Sequence, residues 1–480
     1  MSKILKEFIS EPKSMLIAPA GYGKTHSIAE CMKYTNGKQL ILTHTHAGVA
    51  SLKEKFNKEK LSIRNYNIET ITGFAQRYFN AFYCGDDTPK QENAAEYYPF
   101  IISHATELIN KKLISDIVKI TYSGLFVDEY QDCAVIHHEL ILALSDILPA
   151  HILGDPLQGI YEFNKTRLVD LNSTKDMMDF LKNKHQLTTP WRWERTSSNS
   201  KLGVSFKDIR NLLNKRETID LSIYDAIEVV VCPETDIYQP KSNYYRTINR
   251  LLNAEKNLLI IHPISSSIHV RLNIIKRFKI PINLVEAIDQ EDFYRISKKW
   301  DELMCFADVY HMLKETVHIM FPKTVLNKWF GNNDFIKKRD EQDKIIIMPI
   351  VERFNTLKQK ISFSQISEIF KLIKNIPGNK CYRKELFYDL CRALDNSTYK
   401  SISVYESMIN IRNNKRRMGR KLSQKCIGTT LLTKGLEFDT VVVLDAHKFD
   451  CPKNFYVAIT RACKQLVIFT NNKILNPYKK

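Results

Sequence analysis

The sequence predicts an α/β chain with parallel sheets in two domains, each carrying a mostly helical insertion. Three observations support that class. Short apolar strands alternate with amphipathic helices over the first third of the chain. The alternation stops, resumes, stops again and returns near the end. A glycine-rich turn follows the first strand and opens a helix. With 480 residues, 44% hydrophobic and 26% charged, the chain has enough apolar surface for about three folding units.

The first domain is expected over residues 1–185. Its candidate strands are 15–19, 39–43, 125–127 and 152–153, and Val49, Leu52 and Phe56 share a helical face after the second. A polar, tyrosine-rich and helix-like stretch at about 78–122 reads as a small insertion. The second domain is expected in two pieces, 186–285 and 415–480. Strand 258–261, a helix near 266–278 and strand 282–285 form one strand–helix–strand unit, and strands return at 441–444 and 466–469. Residues 286–414 show helical periodicity, with Met304, Val309, Met312 and Val317 on one face, and read as the second insertion.

A net charge of +18 suits a polyanionic partner, nucleic acid foremost. No apolar run approaches the roughly 18 residues needed to span a bilayer, and the N-terminus has no signal-peptide pattern. The expectation is a cytoplasmic protein without a membrane partner. The ten cysteines include no CxxC pair and read as reduced packing thiols. Thr43-His44-Thr45-His46 and His137-His138 have no carboxylate or cysteine at ligand spacing, which argues against a metal there. The run 412–421 has six basic residues and no acidic one, and reads equally as a solvated loop or a phosphate-contacting segment.

The chemistry starts at Ala18-Pro19-Ala20-Gly21-Tyr22-Gly23-Lys24-Thr25. In such a turn, backbone N–H groups wrap a polyphosphate, a lysine neutralises its outer charge and a threonine hydroxyl takes a place on Mg²⁺. The helix that follows puts its N-terminus at the anion. Strand 125–127 then delivers Asp128 and Glu129 to the sheet edge where ligands bind. Asp128 would hold Mg²⁺, and Glu129 would orient and deprotonate an attacking water. Gln158 can reach a γ-phosphate, and Arg192 and Arg461 can stabilise charge on a transferring phosphoryl group.

In order, these blocks resemble the UvrD/PcrA/Rep family of superfamily one helicases. The matching strings are APAGYGKT, TITGF at 70–74, VDEYQD at 127–132, LGDPLQGIYEF at 153–163, LTTPWRW at 187–193, TKGLEFDTVVVL at 433–444 and YVAITRA at 456–462. The resemblance runs to near residue 470, interrupted by the two insertions. It implies two RecA-like P-loop domains, ATP and Mg²⁺ as cofactors, and a DNA-dependent ATPase that moves 3′→5′ along single-stranded DNA. Carried over by position, Ala20, Gly21, Tyr22, Gly23, Lys24, Thr25 and His26 bind nucleotide, with Thr25 and Asp128 on Mg²⁺. Glu129 is the base, Gln158 senses the γ-phosphate, and Arg192 and Arg461 contact it. Trp191 replaces the tyrosine that stacks on the base, and Glu437 resembles the carboxylate near the sugar. Thr43, His44, Phe74 and Phe163 fall in segments that contact single-stranded or tailed DNA, although core packing explains Phe74 equally well.

Four departures stand out. No glutamine precedes the phosphate loop to read adenine, and His26 stands where an arginine is common. Leu431 and Asn164 replace a histidine and an arginine in later motifs. The compact plan resembles the short UvrD-like subunit of Gabija antiphage systems, which implies an OLD-family nuclease subunit as partner. A different function fits the short insertions: a nucleotide-gated DNA sensor or regulatory subunit that hydrolyses ATP but unwinds poorly. A P-loop kinase of small molecules leaves the later motifs without a role.

Overall fold

The computed structural model describes all residues except 1, 90–92, 161–166, 197–198, 264–267, 288–290, 304, 337–339, 419–423 and 479–480. Fourteen strands appear among the described residues. The first six are β1 (Lys13–Ile17), β2 (Gln39–Thr43), β3 (Tyr66–Thr70), β4 (Gly124–Val127), β5 (Ala150–Gly154) and β6 (Lys184–Gln186). Next come β7 (Ile219–Asp220), β8 (Ile227–Val231), β9 (Leu258–Ile261), β10 (Asn283–Leu284) and β11 (Lys425–Gly428). The last are β12 (Phe438–Val443), β13 (Ala462–Thr470) and β14 (Ile474–Leu475). The chain divides into two compact units, residues 1–236 with 433–480, and residues 237–432.

The first unit contains a parallel sheet in the order β3-β2-β4-β5-β1-β6. Strands β2, β4 and β5 are buried throughout, as expected of near-continuous apolar runs covered on both faces. Because all six strands run the same way, the turns after β1, β4 and β5 open on one edge. The two inserted helices, Ala94–Ile109 and Lys112–Thr121, add to the same core: Ile101, Ile102, Ala105 and Ile109 pack with Leu40, Leu125, Val127 and Ile152. A second parallel group in this unit places β13 between β12 and β8, while β7 and β14 pair antiparallel.

The second unit has three parallel strands, with β11 between β9 and β10. Between β10 and β11 the described residues are largely helical, from Glu291–Asp301 through Val404–Met418, around a core that includes Trp300, Phe370 and Leu390. Parallel strands with helical insertions match the α/β class expected. The basic run turns out differently from either expectation at its start. Arg412 lies on the helix Val404–Met418, fully buried, 2.7 Å from Asp389. It is therefore neither solvated nor available to phosphate, and residues 419–421 of the run lie outside the described residues.

His151 on β5 shows the cost of polar groups inside the first unit. Ser14 Oγ donates to the Phe8 carbonyl at 2.6 Å and lies 2.8 Å from His151 Nδ1. Since the hydroxyl proton is already committed, Nδ1–H is the donor. Burial against Phe8 and Phe126 pushes its pKa down to about 4. The unfolded chain binds the proton near pH 6.5 and the folded chain resists it. This contribution to stability is therefore complete above pH 6.5 and is lost as the pH falls towards 4. Over that window we expect a loss of about 3 kcal/mol from this residue, and a shallower acid limb of the unfolding profile in His151→Phe. An unchanged limb would show that the ring is protonated in the fold.

Candidate active site

The turn after β1 has two glycines in the left-handed region, Gly21 at φ 76° and Gly23 at φ 89°. Only glycine tolerates such a pair without strain. Gly23 is the N-cap of the helix Lys24–Cys31, and no side chain caps that end. Its N–H groups thus face the edge where β4 ends. Gly21 is also closely covered: a Cβ there would lie 2.6 Å from the Trp193 ring. The Arg192 N–H donates to the Gly21 carbonyl at 2.9 Å.

At the end of β4, Asp128 N–H donates to Leu42 O at 2.8 Å, and Asp128 Oδ1 accepts from the Glu129 N–H at 2.9 Å. Glu129 has φ 56°, a left-handed conformation that is costly for a residue with a side chain. This turn brings its carboxylate to 2.6 Å from Lys24 Nζ, with Asp128 Oδ1 at 3.9 Å. Gln131 Nε2 donates to the same Glu129 carboxylate. Burial raises the Asp128 pKa, with Lys24 opposing it. Burial also acts upward on Glu129, but the Lys24 and Lys434 ammonium groups outweigh it and hold the carboxyl below its usual range. The two carboxylates are thus pushed apart, one towards a proton and one towards ionisation.

At the end of β5, Asp155 gathers three donors. It accepts from the Leu157 N–H at 3.2 Å and from Gln158 Nε2 at 2.8 Å, and Arg210 Nη1 is 2.7 Å away. Its own N–H donates to Gln131 Oε1 at 2.9 Å. Gln131 therefore links this cluster to Glu129.

The later segments meet the same edge within the first unit. Arg192 donates through Nη1 to Thr460 O and pairs through Nη2 with Glu437, both at 2.6 Å. Trp193 Nε1 donates to Ala462 O at 2.9 Å. Between these two acceptors lies Arg461, 2% exposed, which donates to Val457 O and Leu436 O. Burial, with the like charge of Arg192, pushes its pKa down to about 10, so it stays cationic at neutral pH.

The other residues singled out in the sequence are spread more widely. Ala20 and Tyr22 are buried in the turn, and His26 points towards Glu30 and Glu59 at 3.9 and 3.7 Å. Trp191 is half-buried with the Arg195 guanidinium 4.3 Å from its ring centroid, so one face is covered. Thr43 is buried, and His44 Nε2 lies 3.3 Å from Cys133 Sγ. Phe74 is fully buried, 4.7 Å from the Tyr78 ring, as the packing alternative has it. Phe163 and Asn164 lie outside the described residues.

An AAA domain model matches residues 2–164, and a viral superfamily 1 RNA helicase core domain model matches residues 375–470. Over these two segments the chain is similar to superfamily 1 helicases. It is also similar to the Gabija protein GajB of Bacillus cereus (strain VD045), 22% identical over 386 residues that cover 78% of this chain and 69% of GajB. Among solved structures, this helicase-like chain is similar to the arterivirus nonstructural protein 10 helicase in complex with DNA. That match has 11% identity and a TM-score of 0.33, and covers 98% of this chain and 63% of that one. A second structure of that helicase matches with 10% identity and a TM-score of 0.29, covering 98% and 61%. The chain therefore spans less than two thirds of the length of either solved chain.

The helicase-like chain also has a residue that sequence reasoning passed over. Lys434 Nζ lies 2.6 and 2.5 Å from the two Asp132 oxygens and donates to Gln158 O at 2.5 Å. Both side chains are almost inaccessible. Burial pushes the Lys434 pKa down, and Asp132 and Glu129 pull it back. The available signals were the second aspartate of VDEYQD and the lysine of TKGLEF. Lys434→Ala leaves Asp132 buried without this cation. We expect a loss of about 3–5 kcal/mol in denaturant unfolding; a loss below about 1 kcal/mol would mean that water reaches the pair.

Proposed function

We propose that the chain is a DNA-dependent ATPase that translocates 3′→5′ on single-stranded or tailed DNA. We place it in the cytoplasm, as the helicase-like subunit of an antiphage complex with an OLD-family nuclease subunit. The domains are taken as two RecA-like lobes, 1–185 and 186–285 with 415–480, with insertions at about 78–122 and 286–414. One observation carries the reading. Lys24, Asp128, Glu129 and Gln158 lie at one sheet edge, Arg192 is tied to it through Gly21 O, and Arg461 follows Thr460, whose carbonyl Arg192 binds. No helix among the described residues is long and apolar enough to cross a membrane.

The residues fit a magnesium-bound triphosphate. Lys24 Nζ is buried without an aligned hydrogen bond among the described residues, and the helix behind it starts with uncapped N–H groups. Oxygen donors at Thr25 and Asp128 suit a hard cation. When bound, Mg²⁺ neutralises charge on the phosphate oxygens. Lys24 exchanges Glu129 for phosphate oxygens, which releases the carboxylate. Glu129 then orients a water and takes its proton. Gln158, fixed by Asp155, donates towards the γ-phosphate. Arg192 and Arg461 stabilise the charge that develops on the phosphoryl group in flight. Trp191 offers one face to the base, and Glu437 faces the sugar. His44 is taken to follow the DNA backbone, whereas Thr43, expected there too, is buried at the end of β2 and out of its reach.

The DNA-sensor reading draws on the shortness of both insertions, about 78–122 and 286–414. Strand displacement on a 3′-tailed duplex separates the readings. Displacement that needs both ATP and Lys24 supports the motor, whereas DNA-stimulated hydrolysis without displacement supports the sensor.

Lys24→Ala should abolish hydrolysis on single-stranded, tailed and blunt DNA while keeping non-specific DNA binding. Retained turnover would remove the phosphate-cradle assignment. Glu129→Gln should still bind ATP but hydrolyse it roughly 10²–10⁴-fold more slowly, and an unchanged rate would reassign the base. DNA affinity should fall steeply and linearly on a logarithmic salt axis.

A further inference from the structure

A cavity of about 370 Å³ lies behind the phosphate loop, within the first unit. It is not the catalytic edge: Lys24, Thr25, Asp128, Glu129, Arg192 and Arg461 are absent from its lining, which shares Tyr22 alone with the phosphate-loop residues carried over as nucleotide-binding. Its floor is apolar, from Ile17, Pro19 and Leu187, with the buried ring residue Tyr22 beside them. Its rim is polar and of one sign. Lys184 on β6 and Lys207 on the helix Ser200–Lys215 are exposed cations, and Gln186, Asn211 and Asn214 offer amides. No carboxylate lines it among the described residues. The acidic neighbours are accounted for: Asp155 is paired with Arg210, and Asp208 and Glu194 influence Tyr22 from outside the lining.

We propose that this cavity binds a phosphorylated small molecule no larger than a mononucleotide and so adjusts hydrolysis at the catalytic edge. Volume and lining decide the class. A concave space of this size with an apolar floor and a few convergent polar groups is a small-ligand site. Two lysines free of carboxylates call for an anion, and phosphate is the anion that ammonium and amide N–H groups together satisfy. The amides around it match the hydrogen-bonding edge of a base or sugar.

The wall of the cavity is already wired to the catalytic edge. Arg210, 7% exposed, lines the cavity and pairs with Asp155 at 2.7 Å. Asp155 holds Gln158 and, through its N–H, Gln131, which in turn donates to Glu129. A phosphate that draws Arg210 away from Asp155 leaves that carboxylate to the Leu157 N–H and Gln158 alone, and so resets Gln158. The regulatory half of the proposal rests on the ATPase reading; the binding half does not.

Equilibrium dialysis of the full chain carrying Lys24→Ala, with labelled AMP as probe, tests the binding half without the phosphate loop. We expect saturable binding that weakens about tenfold or more in Lys184→Glu/Lys207→Glu on the same background, as loss of two charge-assisted contacts requires. Both lysines are exposed, so charge reversal spares the fold, and an unchanged circular dichroism melt checks this. Inorganic phosphate should compete, which identifies the phosphate group as the anchor. Three results would overturn the proposal: no saturable binding at millimolar AMP, binding indifferent to the double variant, or displacement of AMP by a single-stranded oligonucleotide. The last would assign the cavity to the DNA backbone.

Discussion

The ammonium of Lys24, buried against Glu129 and close to Asp128, is the constraint around which the site is arranged. A cation taken out of water needs nearby negative charge, and two carboxylates at one strand end supply it. The carboxylates need the cation in return, since two acidic groups on adjacent residues cannot both ionise in a buried turn without it. The left-handed backbone at Glu129 is part of the same balance, because it brings that carboxylate round to Lys24. Any anion that arrives at the helix N-terminus competes with Glu129 for Lys24. The arrangement is therefore poised: the contact that satisfies it at rest is the one an incoming phosphate replaces.

Charges from distant parts of the chain are balanced in the same way. Asp132 and Lys434 are 302 positions apart, and Arg192 and Thr460 are 268 apart. Each tie closes a very long loop, yet loop-closure entropy grows only with the logarithm of length. Once the apolar strands have collapsed, the added cost of bringing these residues together is small. The ties then fix the direction of each guanidinium or ammonium group, which apolar packing alone does not do. Trp193 serves both purposes, packing against Gly21 and Phe206 while its N–H anchors the segment at Ala462.

Strands with long apolar runs were legible, because full burial on both faces leaves a run such as Leu40-Ile41-Leu42 or Val441-Val442-Val443 that periodicity detects. The strands β3, β6, β7, β8, β11 and β14 were not foreseen. β6 is largely exposed and polar, Lys184-His185-Gln186, and owes its form to pairing with β1 rather than to its own composition. β3 alternates buried with half-buried positions and ends at once in a helix, which blurs its period. The site was legible wherever a short string carries the chemistry by itself, as at Gly21–Thr25 or Asp128-Glu129. Lys434 and Arg210 escaped because an isolated cation on an amphipathic segment looks like a solvated residue until its distant acidic partner is known.

The excess of positive charge can be located by a related argument. Arg383 is buried with Glu286 and Asp292, and Arg412 with Asp389, so several cations in the second unit are internal. A one-to-one ion pair removes one charge of each sign and leaves the net of +18 unchanged. The surplus must therefore sit on side chains outside such pairs, and apart from a few buried guanidiniums such as Arg461 these are the ones water reaches. The buried arginines hold the fold, and the exposed lysines and arginines make the field that a polyanion meets. Sequence charge alone joins the two populations; burial separates them.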